Sequence, residues 1–339
     1  MSSQATSATP FSIAAELQPC RLLELPPDLL EYITTSDTPT LSFKAKDATD
    51  PEAFLTTRHK TYLLRQVHTS NTVYITTPAE HAQAITAISQ CRSALECLPA
   101  PVHHAESTLR SLLIPFSEPQ DIDIRPSNAQ SKEHVFAHTP MSHDECQTVW
   151  KDLVAFEHSG QSFRPTALVL ARVWKWLLEI AYANAVNLAE PVQKENIDKM
   201  LDGEDEWPRG LVDAIFSKLS ENNQSSLQLQ QHVTVKWVGI NTLGSYRQNN
   251  KQSIIDTAVF MDNWKDALPE IWRTEANLEM LKGLYKPSGG GKRMELVHNQ
   301  SAHAEDATTG VPKPSAATTA GKRKWHEKFA AARKQGKPS

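Results

Sequence analysis

Short runs of apolar residues that alternate with polar ones dominate the first eighty residues of the chain. Leu22–Leu25 and Leu41–Ala45 are typical of short strands, and residues 60–77 hold two longer β-branched and aromatic runs. His68, Thr69, Ser70 and Asn71 are turn formers between those two runs, so the pattern predicts a β-hairpin over Lys60–Thr77. An ordinary antiparallel sheet with no special task is the alternative on pattern alone.

The pattern changes to a helical one after residue 78. Apolar residues at every third or fourth position of 78–101 predict an amphipathic helix, whose face carries Ile85, Ile88, Cys91, Leu95 and Leu98. A second short helix is predicted over Glu106–Phe116. Residues 120–140 are rich in Pro, Ser, Asn and Asp, which predicts a linker. Residues 78–141 are therefore interpreted as a helical connector and linker.

Residues 142–240 contain the clearest helix signals. Ser142 followed by Glu145 forms a capping-box pattern ahead of an apolar stripe, and Pro208 is typical of the first position of another helix. Between them the spacing predicts a long helix over 166–186 and a shorter one over 192–201. His232–Ile240 then alternates like a strand. Helices followed by a strand indicate a first winged-helix module over 142–240.

The same order recurs in residues 241–297, which predicts a second winged-helix module. Ser253–Leu268 is expected to be a helix, followed by a short helical turn at Pro269–Arg273 and a helix over Glu275–Lys282 capped by Thr274. Leu284–Lys286 and Met294–Val297 are predicted as the strands of the wing. A generic helical domain is the alternative for both modules, and a winged helix by itself does not imply DNA contact.

The composition of the chain indicates its broad class of protein. Hydrophobic residues make up 40% and charged residues 22% of the 339 residues, which describes a soluble globular protein with some tail. No run of 18 apolar residues occurs, and residues 1–19 are expected to be disordered without resembling a secretory signal. In residues 298–321, 16 of 24 residues are Ala, Gly, Pro, Ser or Thr, which predicts a disordered linker before the basic tail that ends the chain at residue 339.

Charge is distributed unevenly along the chain. Residues 321–339 hold seven Lys or Arg and one acid, a net charge of +6, so that −10 falls on the other 320 residues of a chain whose total is −4. Such a tail is a candidate for contact with nucleic acid, for nuclear import, or for no more than a solvated end. The candidate nucleic-acid-binding residues are Lys322, Arg323, Lys324, Lys328, Arg333 and Lys334.

Signatures of catalysis and of metal binding are absent from the sequence. Gly290-Gly291-Lys292 resembles the end of a phosphate-binding loop, but that loop needs Gly at 286 and Ser or Thr at 293, which are Lys and Arg. Four cysteines show no paired metal-ligand spacing, and the adjacent pair His103-His104 lacks the separation that ligation needs. The chain is therefore predicted not to be an enzyme, with no cofactor and no metal.

Three segments carry a resemblance to a known family. CRLLELPPDLLEYI at residues 20–33, TLSFKAK at 40–46 and KTYLLRQVHTSNTVYIT at 60–76 resemble the amino-terminal region of the Dcc family. The most specific fragments are Lys60-Thr61-Tyr62 and Thr69-Ser70-Asn71. The resemblance extends to about residue 285, mostly as hydrophobic spacing beyond the first hundred residues. Longer family members carry a third winged helix at the carboxyl end, which this sequence is expected to lack.

The resemblance implies a function. Members of the Dcc family are the sister chromatid cohesion subunit of the alternative, replication factor C-like clamp loader, which acts on the PCNA sliding clamp during DNA replication in the nucleus. The β-rich residues 20–77 would complete a barrel shared with the large ATPase subunit and a very small subunit. DNA and the replicative DNA polymerase epsilon are further implied partners. The expected partner-binding residues are Leu22, Leu23, Leu25, Tyr62, Leu64, Val73 and Tyr74.

The predicted fold class is α+β, a barrel-forming β-rich region followed by a helical linker and tandem winged-helix modules. Two other functions compete with the clamp-loader subunit. One is a free-standing winged-helix DNA-binding regulator, and the other is an unrelated scaffold with no nucleic-acid role. The behaviour of the isolated chain distinguishes them, because an incomplete barrel predicts an amino-terminal half that is poorly soluble without its partners.

Overall fold

The computed structural model describes residues 9–45, 52–78, 84–100, 102–123, 130–221, 226–250 and 254–297. These residues form a mixed α+β structure with several sheets. Its amino-terminal elements are β1 (Phe11–Ile13), β2 (Leu22–Glu24), α1 (Pro27–Thr35), β3 (Ser42–Ala45), β4 (Ala53–Thr56), β5 (Thr61–Pro78) and β6 (Ile85–Pro99).

The elements after β6 follow one another with short connections. They are α2 (Val102–Leu112), β7 (Ile114–Phe116), α3 (Lys132–His138), α4 (His143–Asp152), β8 (Phe156–His158), β9 (Gln161–Pro165), α5 (Ala167–Ala183), β10 (Val192–Gln193), α6 (Lys194–Met200), α7 (Arg209–Leu219), β11 (Ser220–Glu221), β12 (Ser226–Leu229), α8 (Gln231–Asn250), β13 (Ile254–Asp256), α9 (Thr257–Asp266), two 3₁₀ helices (Glu270–Glu275 and Leu278–Leu281), β14 (Tyr285–Ser288) and β15 (Arg293–Leu296). A further 3₁₀ helix covers Pro119–Asp123.

The amino-terminal sheet has the strand order β1-β6-β5-β4-β3, with β2 also paired to β6. β1 and β2 run parallel to opposite halves of β6, whereas β3, β4, β5 and β6 pair antiparallel in sequence. No closed barrel forms among the described residues, so the sheet is open in the isolated chain. The parallel pairing of Phe11–Ile13 with Ile85–Ala87 also corrects the expectation that residues 1–19 are disordered, for the part that the structure describes.

The predicted hairpin over Lys60–Thr77 is wrong. β5 is a single strand of 18 residues, and its antiparallel partners are β4 and β6. His68 pairs with Ser93 and Val73 with Cys91, so the segment between His68 and Val73 is longer than the one opposite it. The turn-forming residues therefore produce a bulge in a continuous strand instead of a reversal of the chain.

The predicted amphipathic helix over 78–101 is also wrong, because Ile85–Pro99 forms strand β6. Its buried residues Ala87, Ser89 and Cys91 alternate with less buried ones, which is the period of a strand. The apolar residues of this segment fit a helical and an extended pattern about equally. The long neighbouring strand β5 decides between them by supplying a ladder of hydrogen-bonding partners.

The helical part of the chain contains three repeats of one element order. Each repeat has a helix, a short strand, two or three helical segments and two further strands, and its sheet places the third strand between the first and the second. The sheets are β7-β9-β8, β10-β12-β11 and β13-β15-β14. β7 pairs with β9 in parallel, whereas the corresponding pairs in the other two repeats are antiparallel. The repeats are named the first (102–165), second (167–229) and third (231–296) repeat.

Three further predictions about these repeats are corrected. His232–Ile240 is not a strand but part of helix α8, where His232, Lys236 and Ile240 form the exposed stripe and the residues between them are mostly buried. The predicted linker over 120–140 includes helix α3, which the side chain of Ser131 caps. The predicted helix over Glu275–Lys282 is replaced by a 3₁₀ helix at Leu278–Leu281 capped by Asn277, not by Thr274.

Other helix predictions are confirmed. Ser142 and Glu145 form both hydrogen bonds of a capping box at α4, and Thr166 caps α5. The helices α5 and α7 each bury one apolar face: Leu170, Val173, Trp174, Leu177 and Ala181, then Leu211, Ile215 and Leu219. Wing strands were predicted near Leu284–Lys286 and Met294–Val297, and β14 and β15 lie there.

One continuous core joins the second and third repeats with part of the first. Trp174 of α5 donates a hydrogen bond from Nε1 to the carbonyl of Ala267 at 2.8 Å, and Trp264 of α9 donates one to the carbonyl of Val235 at 2.9 Å. A Cβ at Gly239 would lie 2.5 Å from the ring of Trp264, so α8 and α9 approach closely only because residue 239 is glycine. Buried aromatic residues therefore hold the helices in a fixed arrangement.

Polar side chains attach the amino-terminal sheet to the first repeat. Lys44 of β3 donates from Nζ to the carbonyls of Phe136, Thr139 and Met141 at 2.9, 3.1 and 2.8 Å, where α3 ends. At the start of α4, Thr61 Oγ1 donates to Glu145 Oε2 and accepts from the backbone N–H of Ser142. A lysine at the carboxyl end of a helix also interacts favourably with the helix dipole, so the sheet has a defined position against this repeat.

Candidate partner-binding surface

Four of the seven predicted partner-binding residues belong to a small core of the amino-terminal sheet. Tyr62 is 3% exposed and packs in a cluster with Leu29, Leu55 and Cys97, against which Leu23, Leu25 and Leu64 are partly buried. Leu22, on β2, is half-buried. These side chains hold helix α1 against the sheet, so in the isolated chain their primary contacts are internal.

Hydrogen bonds fix the position of Tyr62. Its hydroxyl donates to Asp28 Oδ2 at 3.0 Å, and Lys60 forms an ion pair with the same carboxylate. The ion pair and hydrogen bond with Lys60 lower the pKa of Asp28, whereas burial and the neighbouring Asp28 raise the pKa of Tyr62. Both shifts favour the charged Asp28 and the protonated Tyr62 that this hydrogen bond requires.

The other two predicted residues are exposed. Val73 and Tyr74 on β5 are 42% and 39% exposed, and Phe11 of β1 lies edge-to-face with Tyr74 at a centroid distance of 5.7 Å. Because Val73 and Tyr74 are neighbours in a strand, their side chains point to opposite faces of the sheet. Apolar side chains are therefore accessible on both faces at this end of the sheet.

The edge of the same strand is open. β4 pairs only with Thr61–Leu64 of β5, and β6 pairs with the other edge of β5 along its length. From Arg65 to Pro78, β5 therefore has no strand on its second edge among the described residues. We call this part of β5, together with its paired segment of β6, the open ribbon. A strand edge without a neighbouring strand, beside exposed apolar residues, is typical of a surface that pairs with another chain.

Sequence reasoning missed several exposed apolar residues of the same sheet. Phe11 and Ile13 are 51% and 55% exposed, and Phe43 on the edge strand β3 is 68% exposed. Phe11-Ser12-Ile13 lies in a segment that was expected to be disordered, although its alternation of apolar and polar residues is a strand signal. Phe43 was recognised as a strand residue, but only the sheet order shows that its strand lies at an edge.

The predicted nucleic-acid-binding residues Lys322, Arg323, Lys324, Lys328, Arg333 and Lys334 lie outside the described residues, as does the predicted linker 298–321. Among the residues that the structure describes, no group of three or more His, Cys, Asp or Glu side chains is placed to hold a metal ion. No helix in this part of the chain is long and apolar enough to cross a membrane.

An open, partly apolar strand ribbon attached to a tandem array of small helical repeats is typical of proteins that act by assembling with other chains. The chain belongs to the Dcc1 family: the family model of the sister chromatid cohesion protein Dcc1 matches residues 20–301. A search of curated proteins finds no match. The family match confirms the resemblance carried by the amino-terminal segments. It implies a role in sister chromatid cohesion and agrees with a protein that is not an enzyme.

Proposed function

We propose that this chain is a non-catalytic subunit of the cohesion-linked alternative clamp loader, which acts on the PCNA sliding clamp during DNA replication in the nucleus. The open ribbon is the observation that carries the proposal. The chain exposes 13 large hydrophobic side chains among its described residues, and eight of them precede residue 75. Five of these eight, Phe11, Ile13, Phe43, Val73 and Tyr74, lie on strands of the amino-terminal sheet, and such a concentration is typical of a surface that another chain covers.

Strand addition is the mode of assembly that this geometry favours. A strand from a partner, placed along Arg65–Pro78 of β5, would extend the sheet at the edge that has no neighbouring strand among the described residues. The same partner would cover Val73 on one face or Tyr74 and Phe11 on the other. The partners of this proposal are the large ATPase subunit and the very small subunit of the loader, which would convert the open sheet into a shared barrel.

We further propose that the three repeats are winged-helix modules, with bounds 102–165, 167–229 and 231–296. Their common sheet order, in which the third strand lies between the first and the second, supports this assignment. These bounds would replace the predicted modules 142–240 and 241–297, because the segment expected to close the first of them as a strand is the opening helix α8 of the third repeat. The modules would give the loader surfaces for docking to DNA and to replicative DNA polymerase epsilon.

In the second and third repeats, the helical segments that precede the last two strands do not favour a free-standing DNA-reading regulator. In the second repeat, Arg209 of α7 pairs with Asp198 and Asp213, and Lys218 pairs with Asp152. In the third repeat, the corresponding 3₁₀ helices carry Glu270, Glu275 and Glu279 against one base, Arg273. Acidic or paired side chains at this position oppose the insertion of the helix into a major groove.

Co-expression with the two loader subunits tests the proposal. The variant Val73→Glu/Tyr74→Glu places charge on both faces of the open ribbon without touching the small core around Tyr62. We expect it to lose capture of the large and very small subunits, whereas the control Tyr182→Glu retains it, since Tyr182 is 89% exposed on α5 outside the sheet. Undiminished capture by the double variant, with both proteins folded by circular dichroism, would contradict assembly through the ribbon.

A further inference from the structure

The chain contains four Thr-Pro dipeptides, and the fold treats them differently. Three of them have exposed threonine side chains, at Thr9-Pro10, Thr38-Pro39 and Thr77-Pro78. The fourth is Thr139-Pro140, whose threonine is buried and donates from Oγ1 to the carbonyl of Val135 at 2.7 Å. In the folded chain, three of these dipeptides are therefore accessible to solvent and one is not.

Two of the exposed dipeptides lie at the same end of the amino-terminal sheet. Pro78 of β5 and Phe11 of β1 pair with one residue of β6, Ile85. The N–H of Ile85 also donates to the carbonyl of Pro10 at 3.0 Å. The threonines that precede Pro10 and Pro78 are therefore on the two sides of β6 where the open ribbon ends. The ribbon end is defined as residues 9–18, 72–78 and 84–90.

The backbone around Thr77 has the form that an enzyme can bind. Thr77 belongs to strand β5, and its outer edge has no neighbouring strand among the described residues. Within this part of the chain, the hydroxyl groups of Thr9 and Thr77 form no hydrogen bond. A following proline has no backbone N–H and a fixed φ, the feature that proline-directed protein kinases select. Both threonines thus combine a free hydroxyl with the sequence of a kinase substrate.

The ribbon end carries almost no charge of its own. Glu16 is its one charged residue, and it contains no lysine or arginine. A phosphothreonine has a charge of about −1.5 to −2 near pH 7 and forms its strongest hydrogen bonds with arginine and lysine. Because the ribbon end supplies neither, a phosphate there would remain in water. The modification would consequently act on a partner of the sheet and not on the fold itself.

The exposed apolar side chains of the open ribbon lie near both threonines. Thr77 follows Tyr74 by three residues, about 10 Å along the strand, and Thr9 precedes Phe11 by two. The rings of Phe11 and Tyr74 are in contact, with centroids 5.7 Å apart. Salt screens a charge over about 8 Å at physiological ionic strength, which is close to these separations. A partner strand placed along β5 would run directly beside Thr77, so a phosphate there would have to lose water.

We propose that Thr9 and Thr77 are phosphorylated by a proline-directed protein kinase and that the modified ribbon no longer accepts a partner strand. The γ-phosphoryl group of ATP moves to threonine Oγ1, the bond between this group and ADP breaks, and the hydroxyl proton passes to the catalytic base of the kinase. The two sites follow from exposure and sequence. The effect on assembly rests on the proposed function.

The first experiment tests the sites. The folded full chain is incubated with ATP and a cyclin-dependent kinase, and peptide mass spectrometry locates the phosphate. We expect phosphate on Thr9 and Thr77 and none on Thr139, because the fold buries the last of these. Short synthetic peptides around the three threonines are the control, and all three are expected to be modified since no fold protects them.

The second experiment measures capture of the large and very small loader subunits by the phosphorylated Thr38→Ala chain, in which the remaining exposed sites are Thr9 and Thr77. We expect the affinity to fall by about tenfold or more. The Thr9→Ala/Thr38→Ala/Thr77→Ala chain, treated with the same kinase, is expected to keep the parent affinity. Circular dichroism checks that each chain is folded.

A pair of glutamate variants separates position from net charge. Thr9→Glu/Thr77→Glu is expected to weaken capture in the same direction as phosphate but less, because each glutamate carries a single charge. The control Ser217→Glu/Thr274→Glu adds the same charge at exposed residues of the repeats and is expected to stay within about twofold of the parent. An equal loss for both variants would overturn the proposed effect at the ribbon.

The outcomes of the two experiments are independent. Absence of phosphate from Thr9 and Thr77 of the folded chain would overturn the sites, and modification of Thr139 as fast as that of Thr77 would overturn the argument from exposure. Unchanged capture after full phosphorylation, with capture lost in Val73→Glu/Tyr74→Glu, would overturn the effect on assembly and leave the proposed function intact. Retained capture by that ribbon variant would reject the proposed assembly, whereas the mass spectra would still decide the sites.

Discussion

The amino-terminal sheet and the three repeats differ in how many apolar side chains they bury. The repeats contain two cores, and the larger one runs from Phe116 to Leu296 and includes Trp174 and Trp264, which are almost completely buried. In the sheet, the buried cluster has four members, Leu29, Leu55, Tyr62 and Cys97, while Phe11 and Phe43 remain exposed. Because hydrophobic stabilisation grows with the apolar area removed from water, the repeats are expected to be stable alone and the sheet to gain most from a partner.

The same comparison separates two kinds of exposed residue. On the repeats, Tyr182 and Ile271 are exposed singly, which is normal for a folded surface. On the sheet, Phe11 and Tyr74 are exposed together beside a free strand edge. Exposure alone therefore does not identify a binding surface. A cluster of exposed apolar residues beside a strand edge without a neighbouring strand is stronger evidence for a binding surface.

The largest expected effect comes from removing an aromatic side chain of the repeat core. Trp264 is fully buried and donates a hydrogen bond to Val235, so Trp264→Ala is expected to lower the free energy of unfolding by about 3–5 kcal/mol. Tyr74→Ala, on the open ribbon, is expected to change it by no more than about 0.5 kcal/mol. Urea denaturation followed by tryptophan fluorescence and circular dichroism measures both. Similar losses for the two variants would remove the contrast between core and ribbon.

The second-largest effect on the free energy of unfolding is expected where the sheet is attached to the first repeat. Lys44→Met removes the donor to three backbone carbonyls at the end of α3, of which that of Thr139 keeps the bond from the N–H of Met141, and a loss of about 2 kcal/mol is expected from the lost hydrogen bonds. Faster amide hydrogen exchange is expected in α3 and α4, with that of α9 unchanged. The control Lys236→Met alters an exposed lysine of α8. Equal exchange in parent and variant would show that the sheet is attached by other contacts.

The smallest expected effect is a change in the stability of the amino-terminal sheet with pH in the acid range. The hydrogen bond and charge of Lys60 lower the pKa of Asp28 below its ordinary 3.8. The folded state then favours the charged carboxylate, so this stabilisation is present above the ordinary value and is lost as pH falls through the lower folded value. Asp28→Asn is expected to remove it. Exchange rates around α1 of parent and variant, compared between about pH 5 and pH 3, test this. A parallel pH dependence in both proteins would assign the effect to other carboxylates.

The candidate site could be predicted from the sequence only in part. The resemblance of the amino-terminal segments points to the sheet that has the open ribbon, and Val73 and Tyr74 are exposed there. Tyr62 was grouped with them because it shares the strand, yet it is buried against α1. A strand pattern tells which residues share a face, but it does not tell which face another element of the same chain covers.

Strong local signals in the sequence specify where three of the helices begin. The capping box at Ser142, the N-cap at Thr166 and the proline before α7 fix where α4, α5 and α7 begin, because each satisfies or removes backbone donors within a few residues. The secondary structure of β6 and α8 depends on tertiary contacts instead. Both segments are runs of β-branched and apolar residues without caps, and their spacing fits a helix or a strand, so the neighbouring elements determine which one forms. The edge of β5 draws Ile85–Pro99 into a sheet, whereas packing against α5 and α9 draws residues 232–240 into a helix, since burial on several sides outweighs a propensity difference of less than about 1 kcal/mol per residue.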